Sequence, residues 1–383
     1  MPACSILIKP ASSACNIACR YCFYREIAAG RDRGRLAPMS AQTLETLIGE
    51  AFRYADGLVS FAWQGGEPML AGLSFFQRAI ELERSLAKET GVRFENTIQT
   101  NGLLIDDAWA RFFRENGFLV GLSLDGPREV NDRCRVDRSG RGTFNRVIAA
   151  AGRLERQGVD FNIVSVVTPA MAADPAGTYR FLRSRGFRFL QFIPCMSEQP
   201  GTGNPYAVRP LEYGRFLADV FDLWYAEYAA GADVDIRQFS NWAQMAAGLP
   251  AEECGMCGRC TTYFAVEADG SVYPCDFYTQ DAWRLGSVGD GSDRLFHADA
   301  SERFMASSVE KPAECLACPH YRLCRGGCRR WRDGVRTGAG DGLGVNYLCE
   351  GYRYFFERCG ERIERLGKLI RRNLMGMPAQ GIL

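Results

Sequence analysis

Cys15-Asn-Ile-Ala-Cys19-Arg-Tyr-Cys22, directly after the apolar run Ser5–Lys9, is the stretch from which the fold can be read. Its C-x3-C-x2-C spacing lets three thiolates wrap three corners of a 4Fe–4S cube and leaves the fourth iron without a protein ligand. An iron left open in this way can chelate the amino and carboxylate groups of a small molecule. The alternative is a three-cysteine zinc site, but zinc prefers four ligands, usually built from C-x2-C pairs. A cluster loop following the first strand predicts a parallel α/β fold with its site at the carboxyl ends of the strands.

The chain around the loop agrees. Short apolar runs at Ser5–Lys9, Leu58–Trp63, Phe94–Gln99, Leu119–Leu124, Phe161–Val167 and Phe189–Ile193 read as strands. Between the first two, Leu44, Leu47, Ile48, Ala51 and Phe52 repeat with helical period behind a capping Ser40. Phe144, Val147, Ile148, Ala151 and Leu154 do the same ahead of Gly158, and a shorter helix spans Asp107 to Asn116. Six βα units predict an α/β fold of partial (β/α)6 TIM-type barrel form, not a closed eight-fold one. After the strands come the cysteine loop, Gln64-Gly-Gly-Glu-Pro68, Gln99-Thr-Asn-Gly102, Ser123-Leu-Asp-Gly126, Thr168-Pro169 and Pro194-Cys195. Each alone is an ordinary turn composition. Glu198 to Tyr206 reads as a long loop, Leu211 to Tyr228 as a helix, and from Cys254 periodicity fades until Leu348. We place a domain boundary near Ile236, dividing residues 1–235 from 236–383. The tail from Tyr352 to Arg372 reads as a solvated helix with i, i+4 charge pairs.

Composition narrows the function classes. The chain has 383 residues, 47% hydrophobic and 24% charged, and its 46 basic against 45 acidic residues give a formal charge of +1. That balance argues against nucleic-acid or anionic-membrane binding by bulk charge. No apolar run approaches the ~18 residues of a membrane span, and the first residues lack the features of a secretory signal, so a cytoplasmic protein is expected. Sixteen cysteines against two histidines point to sulfur-bound metal in a reducing compartment. Cys4, Cys134, Cys195 and Cys359 have no metal-spaced partner and are expected in the core.

The cysteine loop, joined by Gln64-Gly65-Gly66-Glu67-Pro68, resembles the signature of the radical S-adenosylmethionine superfamily. The resemblance implies that the open iron binds S-adenosylmethionine. It also implies that the Gly-Gly-Glu-Pro backbone meets the methionyl amino group, and glycine is what allows such close approach. The later cysteines resemble the SPASM extension with two auxiliary 4Fe–4S clusters, where C-x2-C pairs alone would equally suit a zinc ribbon. The family pattern implies Cys254, Cys260, Cys275 and Cys328 for one cluster and Cys315, Cys318, Cys324 and Cys349 for the other. Cys257 is an additional thiol that leaves the choice among Cys254, Cys257 and Cys260 open. With Cys15, Cys19 and Cys22, the expectation is three clusters.

Val266–Tyr278, Gln191–Cys195 and Leu323–Arg330 are similar to segments of anaerobic sulfatase-maturating enzymes. That similarity implies oxidation of one sulfatase cysteine or serine to Cα-formylglycine, with the sulfatase polypeptide as partner and flavodoxin or ferredoxin as electron donor. It also implies Asp276 as proton acceptor, and Tyr21, Gly66, Ser123, Arg135 and Met196 as adenosylmethionine contacts. Asp276 has the competing reading of a surface residue beside a ligand, and Met196 that of a core residue. The competing activity is a SPASM-type peptide maturase forming thioether or carbon–carbon cross-links. The competing non-enzyme reading is a zinc-stabilised interaction module.

Overall fold

The computed structural model describes residues 4–29, 37–196, 204–261, 263–333 and 344–375. The six expected strands form within a residue of their predicted ends. They are β1 (Cys4–Ile8), β2 (Leu58–Trp63), β3 (Arg93–Thr100), β4 (Leu119–Ser123), β5 (Phe161–Val167) and β6 (Phe189–Pro194). Four short ones follow: β7 (Asp235–Ile236), β8 (Phe264–Val266), β9 (Ser271–Tyr273) and β10 (Gly286–Ser287). The chain packs as two compact units, Met1–Leu124 with Asn131–Asn162 and Thr262–Phe304, and Asp125–Val130 with Ile163–Thr261 and Met305–Leu383.

In the first unit β1, β2, β3 and β4 pair in parallel in that order. On its other edge β1 pairs in parallel with β8, in the register Ile8 to Val266, and β9 and β10 extend the sheet antiparallel. The helix Ala41–Tyr54 starts as expected, with the Ser40 hydroxyl accepting from the Thr43 amide, and buries the predicted apolar face. Asp106 caps the helix Asp107–Glu115, and Gly158 closes Phe144–Gln157 in the left-handed conformation that glycine adopts without strain. Trp63, Phe76, Trp109 and Phe113 interlock largely edge-on, with Phe76 and Trp109 rings 5.4 Å apart.

In the second unit β5, β6 and β7 pair in parallel. The expected helix runs Pro210–Ala229, and the tail helix is longer than predicted, Cys349–Leu374. The tail is also more than a solvated helix: Tyr352, Phe355, Phe356, Cys359, Ile363 and Leu366 are buried. Its cations reach a neighbouring helix, Arg362 pairing with Asp222 at 2.6 Å and Arg358 with Asp219 at 3.1 Å, in place of i, i+4 partners. The two helices touch through glycine, since a Cβ on Gly214 would lie 2.3 Å from the Gly351 carbonyl. Most of the predicted 198–206 loop lies outside the described residues. Among them no helix is long and apolar enough to cross a membrane.

Candidate active site

The Cys15–Cys22 loop is held by main chain from the same unit. Ala18 N donates to Val136 O at 2.8 Å and Arg20 N to Cys134 O at 3.0 Å. Arg138 donates to the Cys15 carbonyl at 2.6 Å, and Asn101 reaches Asn16 Oδ1 at 2.7 Å and Cys15 Sγ at 3.7 Å. All three thiols are partly buried. Burial pushes Cys15 up to about 11, with Glu67 and Cys22 adding to it against the Ile17 amide and Arg135. Such a thiol ionises readily only when a metal centre compensates its charge.

The Gly-Gly-Glu-Pro turn lies against the start of this loop. Gly66 N donates to Ser12 O at 2.7 Å and Glu67 N to Ala14 O at 2.8 Å. A Cβ on Gly66 would sit 2.1 Å from the Ala14 carbonyl, so only glycine fits there. Glu67 is fully buried and accepts from the Thr100 hydroxyl at 2.8 Å, Asn101 N at 2.9 Å and Met69 N at 3.2 Å. Burial raises its carboxyl to about 7 despite these donors. Glu67 thus ties the turn to the end of β3, a role that sequence reading did not assign. Of the predicted adenosylmethionine contacts, Tyr21 and Arg135 meet, Arg135 Nη1 donating to the Tyr21 hydroxyl at 2.7 Å. Ser123 Oγ, at the end of β4, accepts from Gln99 at 2.9 Å. Met196 is half-buried in the second unit, its carbonyl 3.5 Å from Asn204 Nδ2.

Asp276 is no surface residue: it is 6% exposed. Its Oδ2 accepts from Gln64 Nε2 at 3.0 Å, and its Oδ1 is ion-paired to Lys9. Lys9 is 1% exposed, with its ammonium 3.4 Å from the centre of the Tyr24 ring. The Tyr24 hydroxyl donates to Glu267, whose other oxygen accepts from Ser12 at 2.9 Å. Burial alone would lower the Lys9 pKa, but Asp276, Tyr24 and Glu267 together hold it above its ordinary value. The β1–β8 register creates this network by bringing Lys9 beside Val266, whose carbonyl accepts the Lys9 amide at 2.9 Å. Lys9, Gln64, Tyr24 and Glu267 were not predicted. The signal available was a lysine closing an apolar strand.

In the second unit Cys315, Cys318, Cys324 and Cys349 line one cavity of about 310 Å³ with His320, Tyr352 and Phe356. Burial raises the Cys324 thiol to about 12, and Cys349, Cys315 and Cys318 add to the effect. The donor set suits a sulfur-ligated, multi-atom group. Cys254, Cys260 and Cys328 lie in this unit and Cys275 in the first. A Cβ on Gly255 would be 3.5 Å from that of Cys328, so the Cys254–Cys260 loop lies against Cys328. Cys257 faces the carbonyls of Ala251 at 3.8 Å and Glu253 at 3.7 Å. Cys4, Cys134, Cys195 and Cys359 are buried, as expected.

Three thiols beside a glycine turn, with a second thiol-lined chamber, define a class. The Radical SAM superfamily profile matches residues 10–182, and that of the SPASM iron–sulfur cluster-binding domain residues 254–319. The chain is 43% identical over 367 residues to a cysteine-type anaerobic sulfatase-maturating enzyme of Clostridium perfringens, covering 95% of this chain and 98% of that protein. A serine-type relative from Klebsiella aerogenes is 36% identical over 92% of this chain and 84% of its own. The structure of native anSMEcpe with bound AdoMet and Cp18Cys peptide superposes with a TM-score of 0.89 at 41% identity, covering 96% of this chain and all of that one. Streptococcus suis SuiB, at 16% identity and a TM-score of 0.60 over 91% of this chain and 77% of its own, shares the fold. The chain belongs to the anaerobic sulfatase-maturating enzymes, radical S-adenosylmethionine oxidoreductases with a SPASM domain.

Proposed function

We infer that this enzyme oxidises a cysteine of a sulfatase polypeptide to Cα-formylglycine without oxygen, using S-adenosylmethionine and three 4Fe–4S clusters. The preference for cysteine over serine rests on the 43% identity to a cysteine-type relative against 36% to a serine-type one. The bound cofactors supply a 5′-deoxyadenosyl radical that removes a hydrogen atom from the substrate Cβ. The chain's own groups do the rest. Cys15, Cys19 and Cys22 hold the first cluster. Tyr21, Gly66, Ser123, Arg135 and Met196 contact adenosylmethionine, with the Gly66 cradle admitting main-chain contact and Arg135 placing a fixed cation.

Asp276 would accept the thiol proton as the substrate radical gives up one electron, for which the auxiliary clusters would be the acceptor, and water would hydrolyse the resulting thioaldehyde to the aldehyde with release of hydrogen sulfide. One observation supports this most: a buried carboxylate next to Cys275, gripped by Lys9 and Gln64, is fixed in the manner a general base requires. Cys254, Cys260, Cys275 and Cys328 are assigned to one auxiliary cluster and Cys315, Cys318, Cys324 and Cys349 to the other. We assign radical generation to residues 1–235 and the auxiliary clusters to 236–383. A flavodoxin or ferredoxin supplies electrons, and the cytoplasm, where thiols stay reduced, is the proposed location. Anaerobic turnover of paired peptides differing only in cysteine or serine tests the preference. Equal formylglycine from both would remove the cysteine-type assignment.

A further inference from the structure

Lys311 and Arg332 are both buried, 8% and 2% exposed, in the second unit. Buried cations ordinarily have carboxylate partners. Among the described residues, the hydrogen bonds of these two side chains run to main-chain carbonyls. Lys311 Nζ donates to Gly258 O at 2.7 Å, Ser308 O at 2.8 Å and Val309 O at 2.9 Å. Arg332 donates to the same Ser308 carbonyl at 3.1 Å and to that of Glu310. Two like charges thus share one acceptor. Burial and then Arg332 lower the Lys311 pKa to about 8, while the Cys260 and Cys315 thiolates push it back up. Burial lowers the Arg332 pKa, with Arg329 adding to the effect, against Cys315, Cys260 and the carboxylate of Asp333.

The surroundings are built to hold this pair. Ser308 is the hub: its hydroxyl accepts from Cys260 N at 2.8 Å while its carbonyl takes both cations. The Lys311 stem runs over Gly326, where a Cβ would lie 2.7 Å from the lysine Cδ. Pro312 carries the chain on to Cys315, whose amide donates to the Pro312 carbonyl at 2.9 Å. Both cations are thus fixed on main chain that anchors Cys260 and leads directly to Cys315, one ligand of each proposed auxiliary cluster.

We propose that Lys311 and Arg332 are a shared cationic bridge between the two auxiliary clusters, compensating their negative charge and raising both reduction potentials. The inference rests on the assignment of Cys260 and Cys315 to different clusters made above. The single electron that the substrate radical gives up would pass to one of these clusters, and whichever cluster held it would carry one more negative charge. A neighbouring positive charge favours that reduced state. At roughly 10 Å and an effective dielectric constant of ~20, removing one unit charge weakens reduction about fifteen- to twentyfold, or ~70 mV for a one-electron couple.

The test is an EPR-monitored redox titration of the full-length, anaerobically reconstituted enzyme, with iron counted in every sample. Lys311→Met and Arg332→Gln should lower both auxiliary potentials by about that amount, and Lys311→Arg and Arg332→Lys should restore them. Unchanged potentials in the neutral variants at full iron content would overturn the proposal. If the neutral variants lose iron while the charge-keeping ones retain it, the charge requirement is upheld; loss in all four would show a purely steric role and overturn it. A wild type holding only about four irons would instead refute the auxiliary-cluster assignment itself.

Discussion

Asp276→Asn separates two steps that the site assigns to different groups. The substitution keeps the size of the side chain but removes a charge that is ion-paired to buried Lys9. Asp276 also accepts from Gln64 at 3.0 Å. An amide has one acceptor oxygen, so it can accept from Lys9 or from Gln64 but not present an oxygen to both. Breaking a buried pair costs ~3–5 kcal/mol when the remaining charge is left unpaired. Glu267 and the Tyr24 ring still face Lys9, which places the expected stability loss at the lower end, about 3 kcal/mol. Losing a positioned base lowers the rate by about two or more orders of magnitude, ~2.7 kcal/mol of barrier. The two effects are similar in size and must be read separately. Iron content reports on folding, chromatography of 5′-deoxyadenosine on radical generation, and peptide mass on formylglycine. The variant should retain its iron and form deoxyadenosine while formylglycine falls about a hundredfold. If both products fall in proportion to lost iron, Asp276 is structural; if formylglycine forms at the wild-type rate, another group takes the proton.

Replacing Cys15, Cys19 and Cys22 together with alanine should abolish deoxyadenosine while about eight irons per chain remain in the auxiliary clusters; deoxyadenosine above background would show cleavage elsewhere. Gly66→Ala should lower adenosylmethionine affinity at least tenfold, measured by equilibrium binding, because its Cβ would meet the Ala14 carbonyl at 2.1 Å; wild-type affinity would refute the cradle. Glu83, fully buried beside Asn96 at 2.7 Å, is raised by burial to about 8. The folded state therefore holds a proton that the unfolded chain releases above pH ~4.5, and Glu83 lowers stability as pH rises from there to about 8. Glu83→Gln should remove that slope and gain on wild type by up to ~5 kcal/mol at pH 8 in denaturant titrations; parallel pH profiles would contradict it.

The βα units were legible because their strands are long enough to show an apolar run and their helices enough turns to show a stripe. Ser40 and Gly158 could be assigned as helix ends for local reasons of capping and left-handed geometry. β7 to β10 are two or three residues long and carry no period at all. The pairing of β8 with β1 was equally hidden, since a parallel partner from the other end of the chain leaves no local mark. That pairing places residues 264–287 in the first unit even though the sequence changes texture only at Cys254. The cysteines were legible from spacing, and Asp276 from its neighbours in a recognisable segment. Lys9 was not, because its reason for being buried is a carboxylate supplied by a distant strand end. Lys311 was hidden likewise: a lysine before a proline looks like surface until Gly258, Ser308 and Val309 are seen around it.

The most direct test of the account is mass spectrometry of a cysteine-containing sulfatase-motif peptide after anaerobic turnover with the reconstituted enzyme, reductant and S-adenosylmethionine. The account predicts a new species in which that one cysteine has become formylglycine, reactive to an aldehyde reagent, with deoxyadenosine formed alongside. Deoxyadenosine with an unmodified peptide, or with a cross-linked peptide carrying no aldehyde, would contradict it.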